Sequence, residues 1–372
     1  MSAKPRLHLA YLDGLRALAA SYVVGFHAVL GFAADDLTGP WRVLKRLFAF
    51  GHEAVAVFIV LSGYCLMLPV VRREPEPLRT ELGSFIKRRA FRILPPYYAA
   101  LLGSLVLLAA VPALRSPSRT IWDDSLPGLE VAPILSHLLL VHNWSREWGY
   151  QINGPLWSVA SEWQIYFFFP LVLLPTWRRL GMLGALGLAA LLGYAPLLLL
   201  PVASNVAIPW YLLLFALGMA AAAIGFSAAP LATRLRQGLN WTWCSRALWL
   251  GCVVLSSVAG KLWFGLKPVA DLLVGLATTA LLIALTLRAQ RADRGVLLRL
   301  LESRPLVSLG HFSYSLYLTH LPILALSYIW LRPHGWPQWQ LTLVLLGLGG
   351  LASLVVAYAF HVAIERRFIQ KR

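Results

Sequence analysis

Residues 12–32 read LDGLRALAASYVVGFHAVLGF, a stretch that is long and apolar enough to cross a membrane. It also contains three ionisable side chains, Asp13, Arg16 and His27. An ionisable side chain at the centre of a bilayer costs about 3 kcal/mol on insertion scales, so such residues are rare there unless they have a function. The segment therefore predicts a first transmembrane helix that contributes polar groups to a cavity between helices.

The same apolar character continues along the whole chain. Of its 372 residues, 59% are hydrophobic and 13% are charged, whereas a soluble domain is about half apolar and a quarter charged. We therefore predict an all-α polytopic membrane protein, with residues 1–372 in a single domain of about ten transmembrane helices around a polar cavity. The run at 133–144 is too short to span and is predicted to be interfacial or re-entrant. The predicted spans are residues 10–32, 48–70, 93–113, 154–175, 181–201, 208–225, 247–264, 269–287, 307–329 and 340–361.

The positions of the basic residues predict the orientation of these helices. With ten spans, 23 Lys and Arg residues fall on the side of the two termini and 9 on the opposite side. Because cytoplasmic loops are enriched in Lys and Arg, both termini are predicted to be cytoplasmic, in a multi-pass protein of the inner membrane. Lys4 and Arg6 precede the first span as in a signal peptide, but the length of that span and its charges indicate that it is retained.

The remaining composition bears on partners. The net charge of +17 is explained by this sorting of basic residues, so no nucleic-acid partner is predicted. The three cysteines form no CxxC pair, and the chain has no HExxH, P-loop or GxGxxG motif. No metal and no permanently bound cofactor is therefore predicted.

Arg16 and His27 are predicted to lie on one face of the first helix. They are eleven residues apart, close to three helical turns and about 16 Å along the axis, and Asp13 lies one turn before Arg16. Taken alone, Arg16 could be a snorkelling residue paired with Asp13, and His27 could make a structural hydrogen bond to a neighbouring helix. Their shared face favours a polar cavity.

Four cations directly precede the third span, namely Lys87, Arg88, Arg89 and Arg92. Arg89 and Arg92 are spaced i, i+3 and can face one anion. The guanidinium fork donates two parallel hydrogen bonds, which suits phosphate. The alternative is that these charges only face anionic lipid at the cytoplasmic surface.

Two later spans carry polar residues at helical spacing. In the fourth, Ser158 and Glu162 can share a face, and a carboxylate there could orient a histidine or accept a hydrogen bond from a sugar hydroxyl. Trp157 and Glu162 could equally be interfacial residues at the membrane edge. In the ninth, His320 is in line with Ser313 and Tyr317, a set that interhelical hydrogen bonding also explains.

The ordered set of motifs resembles acyltransferase family 3, the integral membrane O-acyltransferases that include O-antigen and exopolysaccharide acetylases. The matching pieces are LDGLRALAASYVVGFHA, VAVFIVLSGYCL, FIKRRAFRILPPYY, HLLLVHNW, NGPLWSVASEWQIYFFFP, LGHFSYSLYLTHLP and IERRF. The resemblance implies that an acyl group, usually acetyl, is taken from acyl-CoA as co-substrate at the cytoplasmic face. It passes to a hydroxyl, commonly on a carbohydrate that is lipid-linked or exported. Some members carry an additional SGNH domain, and this chain is expected to act without one or with a separate partner.

The resemblance also implies roles for individual residues. Its catalytic positions fall on Arg16, His27, Glu162 and His320. Its acyl-CoA-binding positions fall on Arg16, Lys87, Arg88, Arg89 and Arg92, and its acceptor-binding positions on Trp157, Ser158, Ser313 and Tyr314. The chain departs from the family pattern at a few positions. Ala54 and Ala56 stand where many members have Gly and Asp, and Ala160 replaces a common Ser. The terminal motif has Arg366–Arg367 where Glu-Arg-Pro is usual.

Two mechanisms and two other functions remain open at this point. His27 could act as the general base for the acceptor hydroxyl, or it could itself be acylated and pass the group on. The acceptor could be a macrolide or another small molecule instead of a carbohydrate. A transporter or flippase for a lipid-linked sugar would also need a polar cavity, but it would not need the basic RxxR motif of Arg89 and Arg92.

Overall fold

The computed structural model describes residues 9–32, 39–72, 82–126, 129–199 and 207–369. The N-terminal Lys4 and Arg6 and residues 73–81 of the basic loop lie outside this part of the chain. Within it, every regular element is a helix and there is no strand. The all-α class predicted from the sequence is confirmed.

The helices are numbered in chain order. The α-helices are α1 Ala10–Phe26, α2 Arg42–Leu47, α3 Gly51–Arg72, α4 Leu82–Ala110, α5 Val131–Leu138, α6 Leu156–Phe168, α7 Leu174–Leu199, α8 Tyr211–Phe226, α9 Pro230–Gly238, α10 Trp241–Ala259, α11 Lys261–Gly265, α12 Lys267–Gln290, α13 Val296–Leu301, α14 Arg304–His311, α15 Ser313–Leu331 and α16 Gln338–Phe368. Wider π turns occupy His27–Gly31, Phe169–Leu173, Leu345–Gly349 and His361–Glu365, and short 3₁₀ turns occupy Gly39–Trp41, Pro112–Arg115, Ile121–Ser125, His142–Trp144 and Arg332–His334.

The described parts of the ten predicted spans fall in apolar helices, and two of them, 247–264 and 307–329, cross a break between two helices. Residues 200 and 201 of the fifth predicted span lie outside the described part of the chain. In the described part of the chain, eight helical stretches are long and apolar enough to cross a membrane, and a ninth results if α8 and α9, bent by 82°, form one span. The stretch Leu156–Leu199 has 44 residues, or about 66 Å of helix, roughly twice the hydrocarbon thickness. Gly181, with φ of 70° and ψ of −167°, interrupts it, so the predicted fourth and fifth spans lie on either side of this break.

Helix α8 is the centre of the bundle. Almost every side chain from Tyr211 to Gly225 is buried, so this helix is enclosed by protein. Two glycines permit its close contact with α3: a Cβ atom on Gly63 would lie 2.0 Å from the carbonyl oxygen of Phe215, and one on Gly218 would lie 2.0 Å from that of Val60. Such small residues let helix backbones approach each other in membrane proteins.

Gly63→Ala should therefore destabilise the bundle. The added methyl group would meet the backbone of α8, which cannot move as a side chain can, and overpacking of this kind costs about 1–3 kcal/mol. Thermal unfolding of the detergent-solubilised protein should show a lower Tm. Gly103→Ala is the matched control, because a Cβ atom there has no other atom within 4 Å. Equal Tm values for the two variants would contradict the close packing of α3 against α8.

The run at 133–144 forms two short elements, α5 and the 3₁₀ turn His142–Trp144. The eight-residue α5 cannot span a bilayer, as predicted; its position relative to a membrane stays a prediction. The rings of His137 and His142 stack with their centroids 3.7 Å apart and their planes at 7°, and both side chains are fully buried. Burial lowers the pKa of His137 to about 4, and burial beside His137 lowers the pKa of His142 well below its usual range.

This histidine pair should make stability depend on pH. In the unfolded chain both residues titrate near pH 6.5, so between pH 6.5 and about 4 the unfolded chain binds more protons than the folded one. Stability is then fully present above pH 6.5 and is lost as the pH falls toward 4. Chemical unfolding followed over this range should show a steeper loss for the wild type than for a His137→Gln/His142→Gln variant. Identical slopes would refute the assignment.

Near its end, α16 is tied to α15 by a buried carboxylate. Glu365 is 5% exposed; it accepts a hydrogen bond of 2.5 Å from the hydroxyl of Ser315 and lies 2.8 Å from Nδ1 of His361. This arrangement explains the acidic residue of the terminal IERRF motif in structural terms. It fixes the last helix against the helix that carries His320.

Candidate active site

The first helix changes its winding at the histidine that the sequence singled out. Helix α1 ends at Phe26 and continues as the π turn His27–Gly31. A π turn within a helix is frequent at functional sites, because the extra residue per turn redirects side chains. His27 is partly buried and points into the bundle, where it meets α15.

His27 and His320 form a pair. Nδ1 of His27 lies 3.0 Å from Nε2 of His320, and the ring centroids are 4.9 Å apart. His320 is fully buried. The structure thus joins the first and ninth predicted spans through the two histidines that the sequence had marked separately.

The surrounding backbone determines which ring nitrogens carry protons. Nδ1 of His320 lies 3.1 Å and 2.9 Å from the carbonyl oxygens of Leu316 and Tyr317. Carbonyl oxygens can only accept, so this nitrogen donates, and Nε2 of the neutral ring is an acceptor. Nδ1 of His27 lies near both that acceptor and the carbonyl oxygen of Val23, at 2.9 Å, so it too is a donor. The network therefore leaves the lone pair of neutral His27 on Nε2.

Arg16 lies three turns before His27 in a polar contact between α1 and α3. Its guanidinium donates to a carboxylate oxygen of Asp13 at 2.8 Å and to Sγ of Cys65 at 2.9 Å. The predicted pairing of Asp13 with Arg16 is confirmed. The Arg16 side chain is 23% exposed, so it is held against α3 instead of extending freely to an interface.

Arg89 approaches the same region from α4. It is half-buried, packs over the ring of Phe85 at 5.9 Å, and its buried Nε atom has no hydrogen-bond partner among the described residues. The Tyr166 hydroxyl on α6 donates a hydrogen bond to Glu162 and lies 2.9 Å from the hydroxyl of Ser62 on α3, one helical turn before Cys65. Glu162 and Tyr166 thus lie near the contact of Arg16 with α3.

The other cations of the predicted cluster have different surroundings from Arg89. Arg92 is exposed one helical turn beyond Arg89. Lys87 and Arg88 line a surface groove of about 530 Å³, together with Phe91, Arg367 and Phe368. Lys87 and Arg88 therefore share a groove that Arg89 and Arg92 do not line.

The predicted acceptor-binding residues also divide into two groups. Ser158 makes a 2.6 Å hydrogen bond with Tyr317, whose ring centroid lies 5.9 Å from that of His320. The preceding residue, Trp157, is 7% exposed. Ser313 donates to the carbonyl of Gly310 and Tyr314 to that of Ile93, so the last two join helices and do not reach the histidine pair.

A second histidine centre, which was not predicted from the sequence, lies at His52. Nε2 of His52 lies 3.0 Å from a carboxylate oxygen of Asp271, and the same oxygen accepts a 2.8 Å hydrogen bond from Trp210. Asp271 is fully buried. The sequence did contain a signal for this centre. Asp271 is an ionisable residue within the predicted span 269–287, and, as for Asp13, such residues are rare in a span unless they have a function.

The fold and the site define a multi-pass membrane protein with an intramembrane histidine pair and arginines directed toward the bundle interior. The chain belongs to acyltransferase family 3, because the acyltransferase domain of that family matches residues 9–362. The reaction class of this family is acyl transfer, and the resemblance seen in the motifs is confirmed.

Two relatives illustrate the match. The chain is similar to the acyltransferase MdmB of Streptomyces mycarofaciens, with 32% identity over 182 residues, which is 47% of this chain and 41% of that protein. It is also similar to the peptidoglycan O-acetyltransferase OatA of Listeria monocytogenes, with 25% identity over 172 residues, which is 45% of this chain and 25% of OatA. These matches span less than half of either relative. No solved structure matches the chain significantly.

Proposed function

We propose that the protein transfers an acetyl group from acetyl-CoA to a hydroxyl of a lipid-linked or exported carbohydrate. The observation that carries the proposal is the His27–His320 pair, whose hydrogen bonds leave a lone pair on Nε2 of His27 inside a bundle of apolar helices. An O-acetyltransferase needs such a base near neutral pH. The similarity to OatA, a peptidoglycan O-acetyltransferase, supports both the acetyl group and a carbohydrate acceptor.

In this proposal the arginines bind the donor. Coenzyme A carries a pyrophosphate and a 3′-phosphate, and guanidinium groups bind phosphate oxygens with paired hydrogen bonds. Arg89 has a free buried donor atom, and Arg92 lies one turn away on the surface. Arg16 continues this line toward His27, about 16 Å further along α1. The positive-inside distribution of Lys and Arg supports a cytoplasmic donor side in the inner membrane.

The chemistry follows from the protonation of His27. The acceptor hydroxyl attacks the thioester carbonyl while Nε2 of His27 removes its proton; the C–S bond breaks, and the proton passes from the imidazolium to the CoA thiolate. Throughout, the Nδ1–H of His27 keeps its hydrogen bond to His320, which makes His320 a positioning residue. A second route, in which Nε2 is first acetylated and the acceptor then attacks the acetylimidazole, uses the same lone pair.

The proposal is tested with purified protein in lipid nanodiscs, acetyl-CoA labelled in the acetyl group, and soluble peptidoglycan glycan strands as acceptor. We expect label in the glycan, released by mild base as an ester is. Label found instead on a small hydroxylated compound such as a macrolide would reject the carbohydrate acceptor. Release of free CoA without an acetylated product in any acceptor mixture would reject O-acetyl transfer.

A further inference from the structure

The second histidine centre lies at the same depth in the bundle as His27. A Cβ atom on Gly51 would lie 2.2 Å from the ring of Phe26, so Gly51 and Phe26 are in contact. His52 follows Gly51 and His27 follows Phe26, so the two histidines lie at neighbouring levels on the antiparallel helices α3 and α1. Helix α3 gives an independent check. His52 is thirteen residues, about 20 Å, from Cys65, which contacts Arg16.

Aromatic side chains join the two histidine centres. The indole of Trp157 stacks on the ring of His52 with the centroids 5.7 Å apart and the planes at 16°. Its neighbour in the chain, Ser158, makes the hydrogen bond to Tyr317, which adjoins His320. Of these two consecutive residues of α6, Trp157 therefore contacts His52, and Ser158 contacts Tyr317 beside His320.

Several buried polar atoms in the second centre have no hydrogen-bond partner among the described residues. They are Oδ1 of Asp271, the hydroxyl of Tyr211 and Oε2 of Glu53; the other carboxylate oxygen of Glu53 accepts a 2.7 Å bond from Trp263. A buried polar atom left unpaired costs about 1–3 kcal/mol, so three near one stacked aromatic pair require an explanation. The two carboxylate oxygens accept hydrogen bonds, so their missing partner is a donor, and the Tyr211 hydroxyl can both donate and accept.

We propose that the His52–Asp271 centre binds the acceptor as a neutral polyhydroxyl ring, with a sugar hydroxyl directed toward His27. The proposal rests on the proposed function and specifies the substrate site for it. Hydroxyl groups donate to the unpaired oxygens of Asp271 and Glu53 and to the hydroxyl of Tyr211, and the apolar face of a sugar ring packs on Trp157. The His52 side chain is 23% exposed, so the ligand reaches the centre along this edge.

The test measures binding separately from turnover. Protein in lipid nanodiscs is titrated with soluble glycan strands in the absence of donor, and with acetyl-CoA in the absence of glycan. Asp271→Asn keeps the size of the side chain but puts an amide group in place of the carboxylate that the sugar hydroxyl would bind. We expect the glycan Kd to rise about tenfold, with the acetyl-CoA Kd unchanged. Asp293→Asn is the matched control, because Asp293 is exposed and pairs only with Arg288 at the surface.

Tyr211→Phe provides a second variant that keeps the fold. The Tyr211 hydroxyl has no partner in the described structure, so its removal leaves the Tm unchanged, and we expect the glycan Kd to rise several-fold. Unchanged glycan binding in both variants, or no saturable glycan binding to the wild type, would overturn the proposal. Glycan binding without acetylation would instead reject the proposed function and leave the binding site standing.

Discussion

Replacing His27 with asparagine should lower the rate of acetyl transfer by about 100- to 10,000-fold, the contribution typical of a positioned general base. Asparagine can still donate a hydrogen bond toward His320, but it has no basic nitrogen for the acceptor proton. It also has no nucleophile for an acetyl group, so the expectation holds for both routes. Because the change removes the lone pair without removing a donor phosphate contact, kcat should fall while the KM for acetyl-CoA stays close to the wild-type value.

The measurement is the initial rate of acetyl transfer at saturating acetyl-CoA. His334→Asn is the control, because His334 lies in the short turn Arg332–His334 and its Nδ1 contacts a backbone carbonyl at 3.1 Å. Brief incubation with labelled acetyl-CoA followed by rapid denaturation near neutral pH separates the two routes, since only the covalent one leaves label on wild-type protein and acid would hydrolyse the acetylimidazole. A His27→Asn protein that transfers acetyl groups at the wild-type rate would refute His27 as base and as nucleophile.

Replacing Arg89 with alanine should raise the KM for acetyl-CoA by about 10- to 100-fold, since hydrogen bonds to charged groups contribute about 1.5–3 kcal/mol. The Tm should fall only slightly, because Arg89 loses its packing on Phe85 while its buried Nε atom has no hydrogen-bond partner among the described residues. The effect should weaken at high salt, where charge interactions near the surface are screened. Steady-state kinetics at low and high ionic strength measure both changes.

The control for Arg89 removes the same charge from the surface. Arg304, the exposed first residue of α14, should change the KM little when replaced with alanine. A third variant, Arg89→Lys, keeps the charge but loses the paired geometry of guanidinium, and we expect an intermediate KM. An unchanged KM in Arg89→Ala would reject a phosphate contact for this residue.

The fold could be predicted from the sequence because membrane insertion imposes a simple requirement. Each apolar segment of about 20 residues must be a helix, and the described part of every predicted range is helical apart from short breaks. The packing order could not be predicted in this way. Nothing in the apolar pattern marks α8 as the enclosed helix, because a helix in lipid and a helix surrounded by apolar helices have similar compositions.

The site was predictable where it depends on one helix. Arg16 and His27 are joined by uninterrupted α-helix until Phe26, so the period of 3.6 residues holds between them. The same period explains why the basic cluster divides, since the consecutive residues Lys87, Arg88 and Arg89 point about 100° apart on the helix and cannot all face one anion. The pairing of His27 with His320, 293 residues apart in sequence, depends on tertiary contacts that helical spacing cannot reveal.

The histidine pair also joins two residues that are synthesised at different times, because His27 and His320 are 293 residues apart. His27 follows α1, which also carries the arginine and the aspartate that accompany it, so these residues are synthesised before the other described helices. Its partner arrives only with α15, after some three hundred further residues, and the glutamate that fixes α15 against the last helix arrives later still. A chain whose synthesis stops before α15 would carry the arginines that we propose to bind the donor, yet His27 would lack its partner. The histidine pair therefore forms only after α15 has been synthesised and has packed against α1.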